Sequence, residues 1–276
     1  MKARPLLTIP TAILFLFLYL PLAAVVLFSF NASRYSTAWT GFSTAWYLAL
    51  LKDDAALSAV KNSLVLATSS SLISTILGTM LGYGMAQTNS RKIANLLHIP
   101  ICLPDIVQAV SMLLFFSLIH RWLGVFELGM STMIAGHVTF QIPFVALVVR
   151  ARCATLDRSW DEAARDLGAT PAQAFWHVTL PMLRPGIVAG AMLAFTLSLD
   201  DFIVSFFTGG AGSTTLPVLI YSSVKRGLSP EINALSTLLI LASAAATILV
   251  TIIQKSPTIP LDDEKNPAAV PSRGFA

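Results

Sequence analysis

The stretch that decides the fold is Ser159-Trp160-Asp161-Glu162-Ala163-Ala164-Arg165-Asp166-Leu167-Gly168, followed by Thr170-Pro171-Ala172-Gln173 and Val178-Thr179-Leu180-Pro181. It is a polar, Arg-rich loop between two apolar segments, with the spacing E-A-A-x3-G-x9-V-x-L-P, and Pro185-Gly186 opens the next apolar run. Local chemistry predicts a helix, a tight turn and a second short helix. Ser159 and Glu162 have capping-box spacing, and Trp160, Ala163, Ala164 and Leu167 recur on one helical face. Gly168 suits the left-handed position that ends such a helix. Thr170, Pro171 and Gln173 restart one as N-cap, first helical residue and capping-box partner. The product is an L-shaped knob with a small Ala-Ala face, a shape that suits a groove on another protein.

Everything around this loop is apolar. Hydrophobic residues make up 55% of the 276-residue chain and charged ones 12%, with a mean hydropathy of +0.73. A soluble domain carries about 25% charge, so this chain belongs mostly in lipid, and its formal charge of +4 speaks of membrane orientation rather than nucleic acid. Cys102 and Cys153 lie far apart with no CxxC or Cys/His spacing, so neither a disulfide framework nor a zinc site is read. No metal ligand set and no cofactor is expected.

Six stretches reach or approach the roughly 20 apolar residues that cross a bilayer: about 6–30, 63–85, 99–119, 132–149, 186–206 and 235–253. The first is too long for a signal-peptide core and lacks a small-x-small cleavage site, so it is read as a retained helix. No internal repeat is evident. Residues 1–255 form a single transmembrane domain with a loop at 150–185, and the Pro- and charge-rich tail 256–276 is expected to be disordered. With the N-terminus inside, twelve of the eighteen Lys and Arg residues fall on cytoplasmic segments, five of them (Arg150, Arg152, Arg158, Arg165, Arg184) on that loop. This bias predicts both termini, the tail and the Glu162 loop on the cytoplasmic side.

Three carboxylates fall within apolar runs: Asp105 and the adjacent pair Asp200-Asp201. An acid near a bilayer centre costs about 3 kcal/mol on insertion scales, so it faces a cavity or a partner. The pair is expected in the outer half of the fifth helix, where an external solute would arrive. Neighbours on a helix differ by about 100°, so only one points straight along a pore, and Asp201, sharing a face with Leu197 and Val204, is favoured. Asp105 follows Pro100 and Pro104, which predict a bent or broken third helix lining a cavity or packing on protein. Helix-end structural roles stay open for both sites. No Lys or Arg occurs in 99–119 or 186–206, which tilts the reading towards a cation route.

The E-A-A-x3-G-x9-V-x-L-P loop resembles the EAA loop of permease subunits of bacterial ABC importers, which docks on the cytoplasmic ATPase; only Val178, usually Ile, departs from it. Ser198-Leu199-Asp200-Asp201-Phe202, the outer segment Trp39-x-Gly41-Phe42-Ser43-x-x-Trp46-Tyr47 and Asn62-Ser63 resemble the polyamine-importer permeases of that class. Together with the loop, the resemblance covers roughly residues 5–255. The resemblance implies an all-α polytopic membrane protein with six transmembrane helices, the type I importer (MetI-like) permease fold, in the bacterial inner membrane. It implies as partners a second, related permease, two cytoplasmic ABC ATPases and a periplasmic substrate-binding protein. Glu162, Ala163, Ala164, Gly168, Leu180 and Pro181 would couple to the ATPase; Asp200, Asp201, Asp105 and Trp46 would line the path of putrescine or spermidine. Trp46 also suits the interfacial aromatic belt, and as a π-face for an ammonium it would contribute about 0.5–2 kcal/mol.

No G-x-x-x-x-G-K-[ST] occurs, so the subunit has no ATPase site of its own; Gly209-Gly210-Ala211-Gly212-Ser213 reads as a flexible outer loop. An intramembrane hydrolase is disfavoured: His98, His120 and His177 lie near or outside span boundaries, only His137 lies within one, and no H-E-x-x-H is present. A secondary cation-coupled transporter would use the same acids but has no need of the loop. The same importer class with another cargo (ferric iron, a thiamine-like cation, an amino-acid derivative) stays open. Orientation is testable directly. In intact spheroplasts, an impermeant thiol reagent should label Gly212→Cys and Ser43→Cys and leave Ala172→Cys unlabelled; labelling of Ala172→Cys would reverse the topology.

Overall fold

The computed structural model describes residues 5–33, 38–88, 91–157, 159–226 and 230–254. The tail 256–276, expected to be disordered, lies outside them, as does Arg158. Twelve α-helices are described: α1 (Pro5–Phe28), α2 (Ala45–Leu50), α3 (Asp54–Thr88), α4 (Arg91–Cys102), α5 (Asp105–Leu123), α6 (Met130–Cys153), α7 (Ser159–Asp166), α8 (Pro171–Ala174), α9 (Leu180–Asp200), α10 (Ile203–Thr208), α11 (Leu216–Arg226) and α12 (Pro230–Gln254). The only pairing of extended backbone among the described residues is an isolated antiparallel bridge between Asn31 and Phe42.

Six helical segments are long and apolar enough to cross a membrane: Thr8–Phe28, Asp54–Thr88, Asp105–Leu123, Met130–Cys153, Pro171–Asp200 and Pro230–Ile248. The six expected spans are all present, with shifted ends. Three shifts have clear physical causes. The second helix begins at Asp54 rather than near residue 63, because the Asp53 carboxylate accepts the Ala55 N–H (2.9 Å) and starts it early. The third is split as expected, and the break falls at Leu103-Pro104: proline pushes the preceding residue out of the helical region, and Asp105 opens α5. Pro100 stays inside α4. The fifth ends at Asp200, six residues short of the expectation, where Asp201 turns to an extended conformation (φ −65°, ψ 124°).

The core is the triad α3, α6 and α9, with α6 in the middle. Half of the α6 span is buried within the chain, whereas none of the α1 span is. Van der Waals packing of small residues drives such contacts in lipid, where the hydrophobic effect gives helices no reason to associate. Gly78-x3-Gly82 on α3 and Gly186-x3-Gly190 on α9 provide it from both sides. A Cβ on Gly78 would lie 2.6 Å from the Val145 Cβ, and one on Gly190 3.1 Å from Val145 Cγ1, so Val145 is gripped from both neighbours. A Cβ on Gly82 would stand 2.5 Å from the Ala146 carbonyl oxygen, and one on Gly186 2.6 Å from the Arg152 Cβ. Ser63, Ala67, Ser70 and Ser74 continue the buried small-residue face of α3 outward.

At the end of α3 that begins with Asp54, α2 and α11 rest on α3 and α12 through Leu50, Ala56, Leu216, Ala234 and Leu235. The glycine-rich loop 209–213 is not free, contrary to expectation. Asn62 Nδ2 donates to the carbonyls of Gly212 and Thr214 (3.0 Å each), and Ser63 Oγ accepts the Leu216 N–H at 2.8 Å. Gly210 lies so close to Leu128 that a Cβ would overlap its carbonyl oxygen.

The close approach predicts a sharp contrast between two neighbours. Gly82→Ala meets backbone and should destabilise by about 1–3 kcal/mol. Gly84→Ala, with open space around it, should not destabilise. Thermal unfolding of the purified proteins in detergent checks this; equal transitions would refute the packing.

Candidate functional site

Two polar assemblies stand at opposite ends of the long helical segment 171–200. The first is the loop. The helix α7 is started by the Asp157 carboxylate, which accepts the Ser159 N–H at 3.0 Å; that bond holds the exposed Asp157 below the ordinary carboxylate range. Ser159 is therefore the first helical residue rather than the expected cap. Arg165 pairs with Asp161 at 2.7 Å, one turn apart. Gly168 takes φ 89°, its N–H bonds to Arg165 O (2.9 Å), and the Ala169 N–H bonds to Ala164 O (3.1 Å). This is the Schellman ending that a left-handed glycine permits. The next helix restarts with reciprocal bonds: Thr170 Oγ1 accepts the Gln173 N–H (3.3 Å), and Gln173 Oε1 accepts the Thr170 N–H (2.8 Å). One π-helical turn, Phe175–Thr179, then joins α8 to α9, whose first residues are Leu180 and Pro181.

The loop's apolar face is uncovered by its own chain. Leu167 is 90% exposed, Trp160 59% and Trp176 63%. Glu162 and Ala163 are exposed and Ala164 is half-buried. Behind the loop lies a cavity of about 660 Å³, lined among others by Tyr83, Arg150, Trp160, Glu162 and Arg165. Arg152 Nε donates to Met182 O (3.3 Å), bolting α6 to the start of α9.

The second assembly sits where α9 ends. Asp200 is the last helical residue and its side chain is exposed. Asp201 turns the other way: its carboxylate accepts the N–H of Ser205 (2.9 Å) and of Val204 (3.4 Å), capping α10. Its Oδ2 also lies 3.3 Å from His137 Nε2. The expectation that Asp201 shares a helical face with Val204 does not hold, because the helix stops between them.

His137, fully buried, is the hinge of a chain of polar groups. Its Nδ1 is 2.7 Å from Ser198 Oγ, and its Nε2 is 3.0 Å from Ser205 Oγ. Ser198 Oγ meets Ser70 Oγ at 3.2 Å. Gln141 Nε2 donates to Ser70 Oγ and to Ala194 O (3.2 Å each), and Ser74 Oγ donates to Gln141 Oε1 (2.6 Å). Sequence reasoning missed this network. Its signal was His137-x3-Gln141, two polar side chains on one face of an apolar span, opposite the serines of α3.

Beside the acids, Phe202, Phe206 and Tyr221 form a ring cluster with centroids 4.5–6.2 Å apart. The Lys225 ammonium lies 4.9 Å from the Tyr221 centroid. Trp46 lies elsewhere: its indole N–H donates to Asn31 O (2.7 Å), and its ring packs against the α2–α11–α12 cluster. Asp105, exposed at the start of α5, lies seven residues before Met112, which faces Gly136. At 1.5 Å per residue that is about 10 Å along the helix, so the acids are not gathered at one point.

Residues 74–256 match the family described as binding-protein-dependent transport system inner membrane component. The putrescine transport system permease protein PotI of Escherichia coli (strain K12) is 45% identical over 231 residues, 82% of either chain. The spermidine/putrescine transport system permease protein PotC of the same strain is 37% identical over 248 residues, 89% of this chain and 92% of that one. Among solved structures, a bacterial ABC transporter involved in import of the acidic polysaccharide alginate superposes with a TM-score of 0.68 at 19% identity, over 88% of this chain and 91% of that chain. The inward-facing MetNI methionine ABC transporter does so with 0.60 at 21% identity, over 77% and 99%. Such distant likeness concerns the fold, and it is that of the MetI-type importer permeases. By family match and by identity, this multi-pass inner-membrane chain belongs to the binding-protein-dependent transport system inner membrane components.

Proposed function

We propose that this chain is the permease subunit of an ATP-driven importer that moves putrescine or spermidine from periplasm to cytoplasm by alternating access. The observation that carries the reading is the continuity of residues 171–200: the exposed loop and the paired carboxylates are the two ends of one 30-residue helical segment. At about 1.5 Å per residue that segment, its π-helical turn included, is about 45 Å long, so movement imposed on the loop is carried to the acids along one continuous helical path. The uncovered face of α7, with Glu162, Ala163 and Leu167, is the surface offered to a cytoplasmic ABC ATPase, with Gly168 setting the corner and Leu180-Pro181 leading into α9. This orientation puts both termini inside. A second, related permease, two ATPases and a periplasmic binding protein complete the assembly, as the resemblance of the loop and the names of the similar permeases suggest.

Asp200 is the carboxylate we assign to the cargo. It is exposed, and the neighbouring rings of Phe202, Phe206 and Tyr221 offer π-faces of the kind that receive an ammonium; Lys225 already places one on Tyr221. Asp105, deeper along α5, is a second acid on the inward route. Trp46 belongs to the outer collar through which the cargo enters.

Two measurements test this. A close ion pair at an effective dielectric near 20 contributes up to about 4 kcal/mol before desolvation. Asp200→Asn keeps size and polarity and loses most of that, so uptake of radiolabelled putrescine and spermidine should fall at least about tenfold, the equivalent of ~1.4 kcal/mol. Unchanged uptake would refute the assignment. Separately, Gly168→Pro should leave the protein in the membrane but abolish its co-purification with the ATPase, since proline cannot adopt the left-handed turn. Retention of a working ATPase complex would refute the docking role.

A further inference from the structure

We infer that His137 is a positioning residue of the transport path: it holds Asp201 on the start of α10 and so leaves Asp200 as the carboxylate free to meet the cargo. The inference rests on the cargo-site reading above and adds to it a residue that no motif in the sequence marks. The geometry dictates the proton order. Nε2 stands between the Asp201 carboxylate at 3.3 Å and Ser205 Oγ at 3.0 Å; a bare Nε2 would set a lone pair against the carboxylate, so Nε2 carries a hydrogen that both oxygens can accept. In the neutral imidazole Nδ1 is then an acceptor, and Ser198, at 2.7 Å, must donate to it. Ser70 in turn donates to Ser198, and Gln141 donates to Ser70. Every dipole from Gln141 to His137 therefore points towards Asp201, and hydrogen bonds aligned this way in a low dielectric reinforce one another. Ser70 stands on α3, His137 and Gln141 on α6, Ser198 on α9. The three helices of the core thus converge on the bend between α9 and α10, and the orientation of Asp200 is set by a carboxylate that itself binds no cargo.

The test uses two near-isosteric replacements in the assembled transporter. Glutamine can place an N–H near the Nε2 position and keep the bond to Asp201; asparagine reaches only the Nδ1 side and keeps Ser198. We expect His137→Gln to retain polyamine uptake within about threefold, and His137→Asn to lower its maximal rate about tenfold or more, the scale of one lost bond to a charged group. Amide hydrogen exchange of residues 201–208, read by mass spectrometry on the same complexes, should accelerate in His137→Asn and in Asp201→Asn, and stay near wild type in His137→Gln. If the two His137 variants behave alike in both measurements, or asparagine serves better, the inference is overturned. Because the exchange readout involves no cargo, it decides the role of His137 even if Asp200→Asn transports normally and the polyamine assignment fails.

Discussion

A helix that ends inside an apolar bundle leaves backbone donors and acceptors without water, and each unsatisfied group there costs several kcal/mol. The start of α10, just past the break after Asp200, is such an end, and one carboxylate satisfies its donors. Asp201 takes the amides of Ser205 and Val204 and the Nε2 of His137, three donors for a charge that could not otherwise be placed there. With its start secured, α10 packs between α5 and α6, where Thr132 Oγ1 donates to Thr208 O at 2.8 Å. The tight turn that follows, with Gly210 against Leu128, and the bonds from Asn62 and Ser63 all assume α10 in that place.

The inner half depends on steric fit instead. Two glycine pairs close on Val145 from opposite sides, and Arg152 joins α6 to α9 where Gly186 lets them touch. Close packing of this kind transmits displacement rather than absorbing it, which suits α3, α6 and α9 to moving as one body. The elements free to shift against it are those with little burial: α1, whose span has none, and α5, whose span is 17% buried. Alternating access by rigid-body rotation fits that division, with the loop moving the core and the less buried helices accommodating it.

Much of this was legible in the residues. Apolar run length located all six spans, Thr170-Pro171-x-Gln173 announced its capping box, and Gly168 its left-handed turn, because these signals are local. Span ends were misjudged wherever a side chain overruled hydropathy: Asp53 starts α3 early, and Asp201 ends α9 early. The same local reading put Asp201 on a continuous helix, where its role as a cap is invisible. The polar network escaped because its members lie on three helices, and no spacing within one of them announces that His137 will meet Ser198 and Asp201. Gly78-x3-Gly82 and Gly186-x3-Gly190 were readable as close-packing signals, but which helix they would grip depended on the fold.

Why two adjacent acids are present follows from what each must do. A carboxylate that caps a helix has its lone pairs committed to amides and to a neighbouring side-chain N–H, so it offers little to a passing cation. Asp201 is in that state. Asp200 is free, and it stands at the C-terminus of a helix, where the aligned peptide dipoles amount to about half a negative charge. The last carbonyls of α9 and the Asp200 side chain therefore add to one another as negative groups at the same helix end. Mutual repulsion between the two acids would weaken this arrangement, and the Nε2–H of His137 on Asp201 relieves it by drawing that charge towards the core. One acid builds the bend, and the bend presents the other.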